Sequence, residues 1–322
     1  MKKGYIYIVL ATFFFSTMEI ALKKFSLGFN PIQMNFIRFF IGALLIMPLA
    51  IKNIKQWKIR LKREDFIFFA LTGFICVVVS MTLYQLAVLE AKASIVAILF
   101  SCNPVFVIPL AFFLLKEKIT KSTVISLAIS VLGMITIMNP FQLSSSVSGI
   151  ILSLLAAATF ALYGVVGKLK SQKYGGVVLS FFSFLMGSIE LLFLMLASKI
   201  PIIAGGLRHA GFSEFADIPV FQGITLQSLP GLIYIGIFVT GLGYTCYFLA
   251  MEKASVAKAS LVFFIKPALA PVLAFIVLRE PITENMILGI LLIVLGSLIT
   301  FRAGGADKKP LMKKHLKLRT QE

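Results

Sequence analysis

The chain has 322 residues, with 31 Lys and Arg against 13 Asp and Glu, a formal net charge of +18. Hydrophobic residues make up 59% and charged residues 14%, whereas a soluble domain carries about 25% charged residues. With a mean hydropathy of +0.98, these values exclude an ordinary soluble fold.

In chain order, apolar runs fall at about 5–23, 33–51, 66–88, 93–115, 122–138, 149–168, 177–198, 229–250, 257–278 and 286–301. A helix needs roughly 20 residues to cross a bilayer, and these runs are of that order. Backbone groups inside lipid must be satisfied within the segment, and the runs lack the alternation of a barrel strand, so all are predicted helices. The first run is no cleaved signal, because no small-residue cleavage site follows it and its equivalent recurs as the sixth. Cys76, Cys102 and Cys246 fall inside predicted helices without metal-ligand spacing and read as small packing residues.

The second half of the chain echoes the first. At an offset of 163, Gly73 falls on Gly236, Thr82 on Thr245, Tyr84 on Tyr247, Pro104 on Pro267, Glu117 on Glu280 and Gly133 on Gly296. Ala11-Thr12-Phe13 matches Ala158-Thr159-Phe160 at an offset of 147, which places an insertion at about 199–228. The expected architecture is an all-α polytopic membrane protein of ten transmembrane helices in two inverted five-helix repeats. These are residues 1–140 and 141–303, followed by a basic cytoplasmic tail, 304–322. Duplication within so apolar a chain is the pattern of a transporter.

The charge distribution sets an orientation. With the N-terminus placed in the cytoplasm, 23 of the 31 Lys and Arg fall in inner connections and six in outer ones, as the positive-inside rule requires. This placement, and not a nucleic-acid partner, accounts for the excess of positive charge. Both termini are expected in the cytoplasm, and the multi-pass chain in the cell membrane. The insertion is the one long outer segment, read either as a cap over a cavity or as a surface loop.

Ionisable groups inside a bilayer are costly and mark function. Lys266 stands in the ninth helix immediately before Pro267, where the first repeat has Asn103 before Pro104. Proline removes a backbone donor and frees nearby carbonyls. Lys266 is thus a candidate ligand for a substrate carboxylate or phosphate, or else half of a structural ion pair, for which Glu190 of helix seven is the natural partner. Glu19 stands four residues before Lys23, the spacing of a same-face pair, and is equally a candidate ligand. Arg38 is read as pairing with Glu19 or Glu190, or as part of the site. Tyr163 and Tyr244 are candidate cavity hydrogen-bonders, whereas Tyr84 is read as an interfacial belt residue. Glu117 and Glu280 each precede a Thr and a helix, and are expected to accept backbone N–H bonds at the entries of helices five and ten.

The motifs Ala93-Ser94-Ile95-Val96, Asn103-Pro104-Val105-Phe106 and Leu115-Lys116-Glu117-Lys118-Ile119-Thr120 recur as Ala254-Ser255-Val256-Ala257, Lys266-Pro267-Ala268-Leu269 and Leu278-Arg279-Glu280-Pro281-Ile282-Thr283. Together with Arg38-Phe39-Phe40 and Gly42-Ala43, this resembles the EamA family of the drug/metabolite transporter superfamily. The resemblance implies ten helices, cytoplasmic termini and export of small metabolites, amino acids or drugs. It further implies a central cavity lined by helices one, three, four, six, eight and nine, with five and ten to the side. Tyr5-Ile6-Tyr7 and Lys24-Phe25-Ser26-Xaa-Gly28-Phe29 resemble the small multidrug resistance branch. That branch has a coupling glutamate in its first helix; here Ser16 stands near the matching position and Glu19 lies one turn later.

The function read from these features is a secondary transporter for a small organic acid or zwitterion, most simply an exporter. Its partners are a small-molecule substrate and the lipid bilayer, with protons or a counter-substrate supplying energy, and no cofactor. No GxxxxGK[ST] motif exists to power a primary pump. A proton-coupled multidrug or cation exporter is the alternative. An intramembrane enzyme fits less well, because His209 and His315 lie in a loop and the tail and no HExxH is present. A scaffold role stands against the duplication.

Overall fold

The computed structural model describes residues 2–26, 28–116, 119–138, 146–253, 259 and 261–305. Among them every regular element is helical. Seven stretches are long and apolar enough to span a bilayer: Gly4–Phe25, Pro31–Gln56, Arg63–Glu90, Ala93–Leu115, Val147–Ser171, Lys173–Ala197 and Leu229–Met251. Three shorter apolar helices, Val124–Ile137, Ile265–Leu278 and Glu284–Gly296, overlap the remaining predicted runs, the last starting two residues early. The chain is thus an all-helical, multi-pass membrane protein. Glu117 and the tail beyond 305 lie outside the described residues.

Local chemistry punctuates the helices. Helix α1 (Lys2–Ser16) passes into α2 (Met18–Phe25) through a break at Thr17. Helix α3 (Pro31–Gln56) starts with proline at its first position, where no N–H is needed, and Asn30 Oδ1 accepts the Ile32 N–H at 2.9 Å. After α4 (Arg63–Gly73) the chain winds as a π-helix over Phe74–Ser80 before α5 (Met81–Glu90). A second π-helix, Tyr234–Leu242, joins α11 (Leu229–Ile233) to α12 (Gly243–Lys253). Helix α6 (Ala93–Ser101) breaks at Cys102 just before Asn103-Pro104 opens α7 (Asn103–Leu115). Helix α8 is Lys121–Met138, and α9 (Val147–Ala197) bends at Gly175, whose φ of 73° interrupts the helical winding. The insertion carries α10 (Pro201–His209) and a short 3-10 turn at Ser213–Phe215. Helices α13 (Leu261–Leu278) and α14 (Glu284–Gly305) complete the set. Lys116 and Arg279, 163 residues apart, both take the left-handed conformation, at φ 54° and 59°.

Without a hydrophobic drive between helices in lipid, close packing through small residues brings helices together. At the α8–α14 crossing, a Cβ on Gly133 would lie 2.8 Å from the Gly289 carbonyl oxygen, and one on Gly289 would lie 2.7 Å from that of Gly133. At the α4–α9 crossing, Gly73 would meet the Gly187 N–H at 2.6 Å. Gly236 of the second π-helix packs in the same way on Ile41 of α3. These crossings enclose a core that holds several polar side chains, Glu19, Arg38, Gln85 and Lys266 among them.

Candidate functional site

Lys266 and Glu19 form an ion pair deep in the bundle: Nζ stands 2.6 Å from Oε1, and the two side chains are 2% and 1% exposed. Of the alternatives open in the sequence, the Glu19–Lys23 pair and the Lys266–Glu190 pair do not form. Lys23 turns instead to the C-terminus of α5, where Nζ donates to the carbonyls of Val88, Leu89 and Ala91 at 2.9, 3.1 and 2.6 Å. A cation at a helix C-terminus satisfies orphan carbonyls and meets the negative end of the dipole. Freed from Lys23, the Glu19 carboxylate faces α13. Glu190 is half-buried on α9, and no described cation forms an ion pair with it; its Oε2 has no hydrogen-bond partner.

Arg38 lies beside this pair and is 1% exposed. Its Nε donates to Asn35 Oδ1 at 2.9 Å, one turn back on α3, and Asn35 Nδ2 donates to the Val77 carbonyl of the first π-helix at 2.8 Å. The guanidinium lies 4.6 Å from the Phe39 ring centroid and 5.9 Å from that of Tyr84. Its Nη1 approaches Met18 Sδ at 3.8 Å, next to Glu19, whereas Nη2 has no hydrogen-bond partner. Arg38 thus reaches the residue beside Glu19 without forming an ion pair with Glu19 itself.

Aromatic rings close the walls. Lys266 Nζ lies 5.4 Å from the Phe100 ring, within cation–π range. Phe100 packs on Tyr84 at 4.7 Å and on Phe160 at 5.2 Å. On the Arg38 side, Phe39 meets Phe184 at 4.8 Å, and Phe184 meets Tyr244 at 4.9 Å. Tyr84 is fully buried, which overturns its reading as a belt residue. Its hydroxyl is buried without a hydrogen-bond partner. Ser16 Oγ and both polar atoms of Gln85 are also buried without partners.

Such a concentration of orphaned polar atoms is unusual, because buried polar groups are almost always paired. Two cations and one anion lie here, and the unpartnered atoms include donors (Arg38 Nη2, Gln85 Nε2) and acceptors (Glu19 Oε2, Gln85 Oε1), so a ligand with a carboxylate and a donor, as a zwitterion has, would complement them. Arg38 Nη2 is ready to donate to such a ligand, and Lys266 has donors beyond the one facing Glu19.

The other sequence candidates take structural posts. Asn103 Nδ2 donates to the Ala157 carbonyl at 2.9 Å, tying α7 to α9. The Tyr163 hydroxyl is engaged by Ser180 Oγ at 3.1 Å across the Gly175 bend. Tyr244 packs on Phe15 at 5.0 Å and belongs to the wall around Arg38. Pro104 opens α7, dividing the single helix expected over 93–115, and Pro267 follows the paired lysine inside α13. Glu280 does accept N–H bonds, but not from the helix that follows it. Its carboxylate takes the Ala93 N–H at 2.7 Å, the Ser94 N–H at 2.9 Å and the Ser94 hydroxyl at 2.6 Å, all at the start of α6. The residues missed by sequence reasoning are Gln85, Asn35 and Ser94. Asn35 had a signal, since it stands three positions before Arg38 on an apolar helix.

A polytopic helical bundle with a buried ion pair and a buried arginine is the architecture of an integral membrane protein. The chain belongs to the EamA-like transporter family, whose model matches residues 2–139 and 147–302. It is 40% identical over 309 residues to an uncharacterized transporter of Clostridium kluyveri, covering 94% of each chain. An uncharacterized transporter of Archaeoglobus fulgidus is 28% identical, over 94% of this chain and 99% of its own. One protein crystal structure shares the fold at a TM-score of 0.61 and 14% identity, covering 92% of this chain and 96% of that one.

Proposed function

We propose that this protein is a secondary transporter that carries a small organic acid or zwitterion, such as an amino acid, across the cell membrane by alternating access, with export as its direction. The observation that carries the substrate class is the Lys266–Glu19–Arg38 cluster, with its surplus cation and orphaned donors. A cation-selective, proton-coupled exporter would need a surplus of carboxylate at the same place, and the described cluster has the opposite sign.

The mechanism rests on two inverted repeats, 1–140 and 141–303, with both termini cytoplasmic. Four paired features support that reading: the left-handed Lys116 and Arg279, the two π-helices, the glycine contacts at Gly73 and Gly236, and the packing of α8 on α14. Exchanging the conformations of such halves opens a central site to one face and then the other. On the face that carries Lys92, Glu280 clasps the start of α6 and Lys23 holds the end of α5. The Glu280 bonds bridge the proposed repeats, and the Lys23 bonds tie α2 to α5 within the first, an arrangement that fits a state closed on that face.

The test is an untargeted comparison of metabolites released by cells expressing the wild type, Lys266→Ala or an empty vector, with equal amounts of protein in the membrane. An anion or zwitterion enriched by the wild type alone is the expected result. Equal enrichment by Lys266→Ala would remove the cluster from the pathway. No enrichment in parallel release and uptake assays would defeat the transport reading.

A further inference from the structure

We infer that residues 199–228 form a platform seated in the headgroup layer of the bilayer beside the helix 2–helix 7 pair (α3 and the second half of α9), with neutral lipid as its partner. The segment is folded. The Asp217 N–H donates to the Ser198 carbonyl and the Ile218 N–H to Ser198 Oγ, both at 3.0 Å, which pins it to the end of α9. Asn30 Nδ2 donates to the Glu214 carbonyl at 2.7 Å, and Gln33 Nε2 to the carbonyls of Val220 and Gln222 at 3.1 and 2.7 Å. Both anchors are the ends of membrane helices, so the height of the segment is set by the bilayer surface.

Its apolar side chains divide into two sets. Ile218 is buried, and Phe215 and Val220 pack against the core. Ile202 is 87% exposed, Leu226 85%, Phe221 77% and Phe212 56%. Phe193, Leu196 and Ile200 at the end of α9, next to the segment in the chain, are exposed as well. Tethering keeps three of those four low, Phe221 through the neighbouring Gln222 carbonyl held by Gln33 of α3, Leu226 and Ile202 through chain length. Leu226 is three residues before Leu229, the first residue of α11, and so no more than ~10 Å from it. Ile202 is in the first turn of α10, which Pro201 opens four residues after α9 ends. The polar layer of a bilayer is roughly 5–8 Å deep on each side, so side chains tethered this closely lie within it or at its acyl boundary. Aromatic and aliphatic residues belong at that depth.

The charge balance specifies the lipid. Lys199 and Arg208 are offset by Glu214 and Asp217 within the segment, and Arg208 is already paired with Asp217. No surplus cation remains to select anionic headgroups, so zwitterionic lipid suffices.

The experiment places single tryptophans, I202W, F221W or L226W, in a Trp57→Phe background and reconstitutes each protein in phosphatidylcholine vesicles brominated at different acyl depths. Phe193→Trp serves as the lipid-facing reference. Expected is at least twofold stronger quenching of the three by shallow than by deep bromines, unchanged when a fifth of the lipid is phosphatidylglycerol. Emission typical of water with no quenching would overturn the proposal. So would quenching that appears only as protein density rises together with cross-linked dimers, since a second copy would then be the occupant. Because Trp57 packs on Gly175, its replacement risks the fold. In that case I202C carrying a nitroxide, in the otherwise native chain with its three buried cysteines, reports the same depth by its relative accessibility to oxygen and a water-soluble nickel chelate. Oxygen preference supports the platform, and nickel preference rejects it.

Discussion

Glu19→Gln should be the most damaging conservative substitution in the chain. It keeps the shape of the side chain and removes the one anion among three buried charges, leaving Lys266 at 2% exposure with Arg38 in the same neighbourhood. Breaking a buried pair by deleting one partner costs about 3–5 kcal/mol, because the survivor stays desolvated. At ~2 °C per kcal/mol for a chain of this size, the melting temperature in detergent should fall by roughly 6–10 °C. Lys266→Met should cost less, since Glu19 would keep Arg38 nearby. The double variant Glu19→Gln/Lys266→Met removes both charges and should recover most of the loss. Thermal unfolding of purified protein, followed by helical signal and by monodispersity, completes a double-mutant cycle. Strictly additive losses would show that the two groups do not meet as described, and an Arg38→Met loss unaffected by Glu19→Gln would remove Arg38 from the cluster.

Three further outcomes can be measured. Glu280→Gln weakens a carboxylate clasp on α6, and at ~1.4 kcal/mol lost a cysteine at Ile20, 5% exposed, should react about tenfold faster with a membrane-impermeant maleimide from the Lys92 face; an unchanged rate would remove the clasp from gating. Gly289→Leu should abolish recovery of folded protein, because a Cβ there already meets the Gly133 carbonyl at 2.7 Å, whereas Gly164→Leu, with open space around it, should leave the yield unchanged; size-exclusion profiles separate the two. Asp65→Asn removes the partner of Lys173, which donates to its two carboxylate oxygens at 2.8 and 2.6 Å. Lys173 is 42% exposed, so screening should keep the loss near 1 kcal/mol, a shift of a few degrees in the same thermal assay.

The helices were legible because a chain that must satisfy its backbone in lipid writes them as long apolar runs. Seven appear at full length, and the described parts of the other three fall where predicted. Lys266 was legible as a lone charge in such a run. Its partner was not: Glu190 was the partner named, whereas the packing of α2 against α13, which no sequence spacing shows, brings Glu19 to it. Tyr84 shows the same gap: a membrane belt and a protein interior both suit a ring with one polar tip. Glu280 was read through its nearest helix, but the turn at Arg279 points it across to α6. The two π-helices left no mark, since the wider winding changes hydrogen bonding without requiring different residue types.

That wider winding gives Arg38 a lever arm. An α-helix turns about 100° per residue, and a π-turn is a local excess of one residue that can migrate along a helix as neighbouring bonds are exchanged. In the first π-helix a backbone carbonyl, that of Val77, is held by Asn35, and Asn35 holds Arg38. In the second, Thr240 Oγ1 bonds the Ile235 carbonyl at 2.9 Å. If the first wide turn moved by one position, Val77 would rotate away from Asn35, and the guanidinium would lose its tether while the helix kept its length. The arginine would then be released by a change of pitch, as a ratchet releases a pawl, with no helix having to tilt.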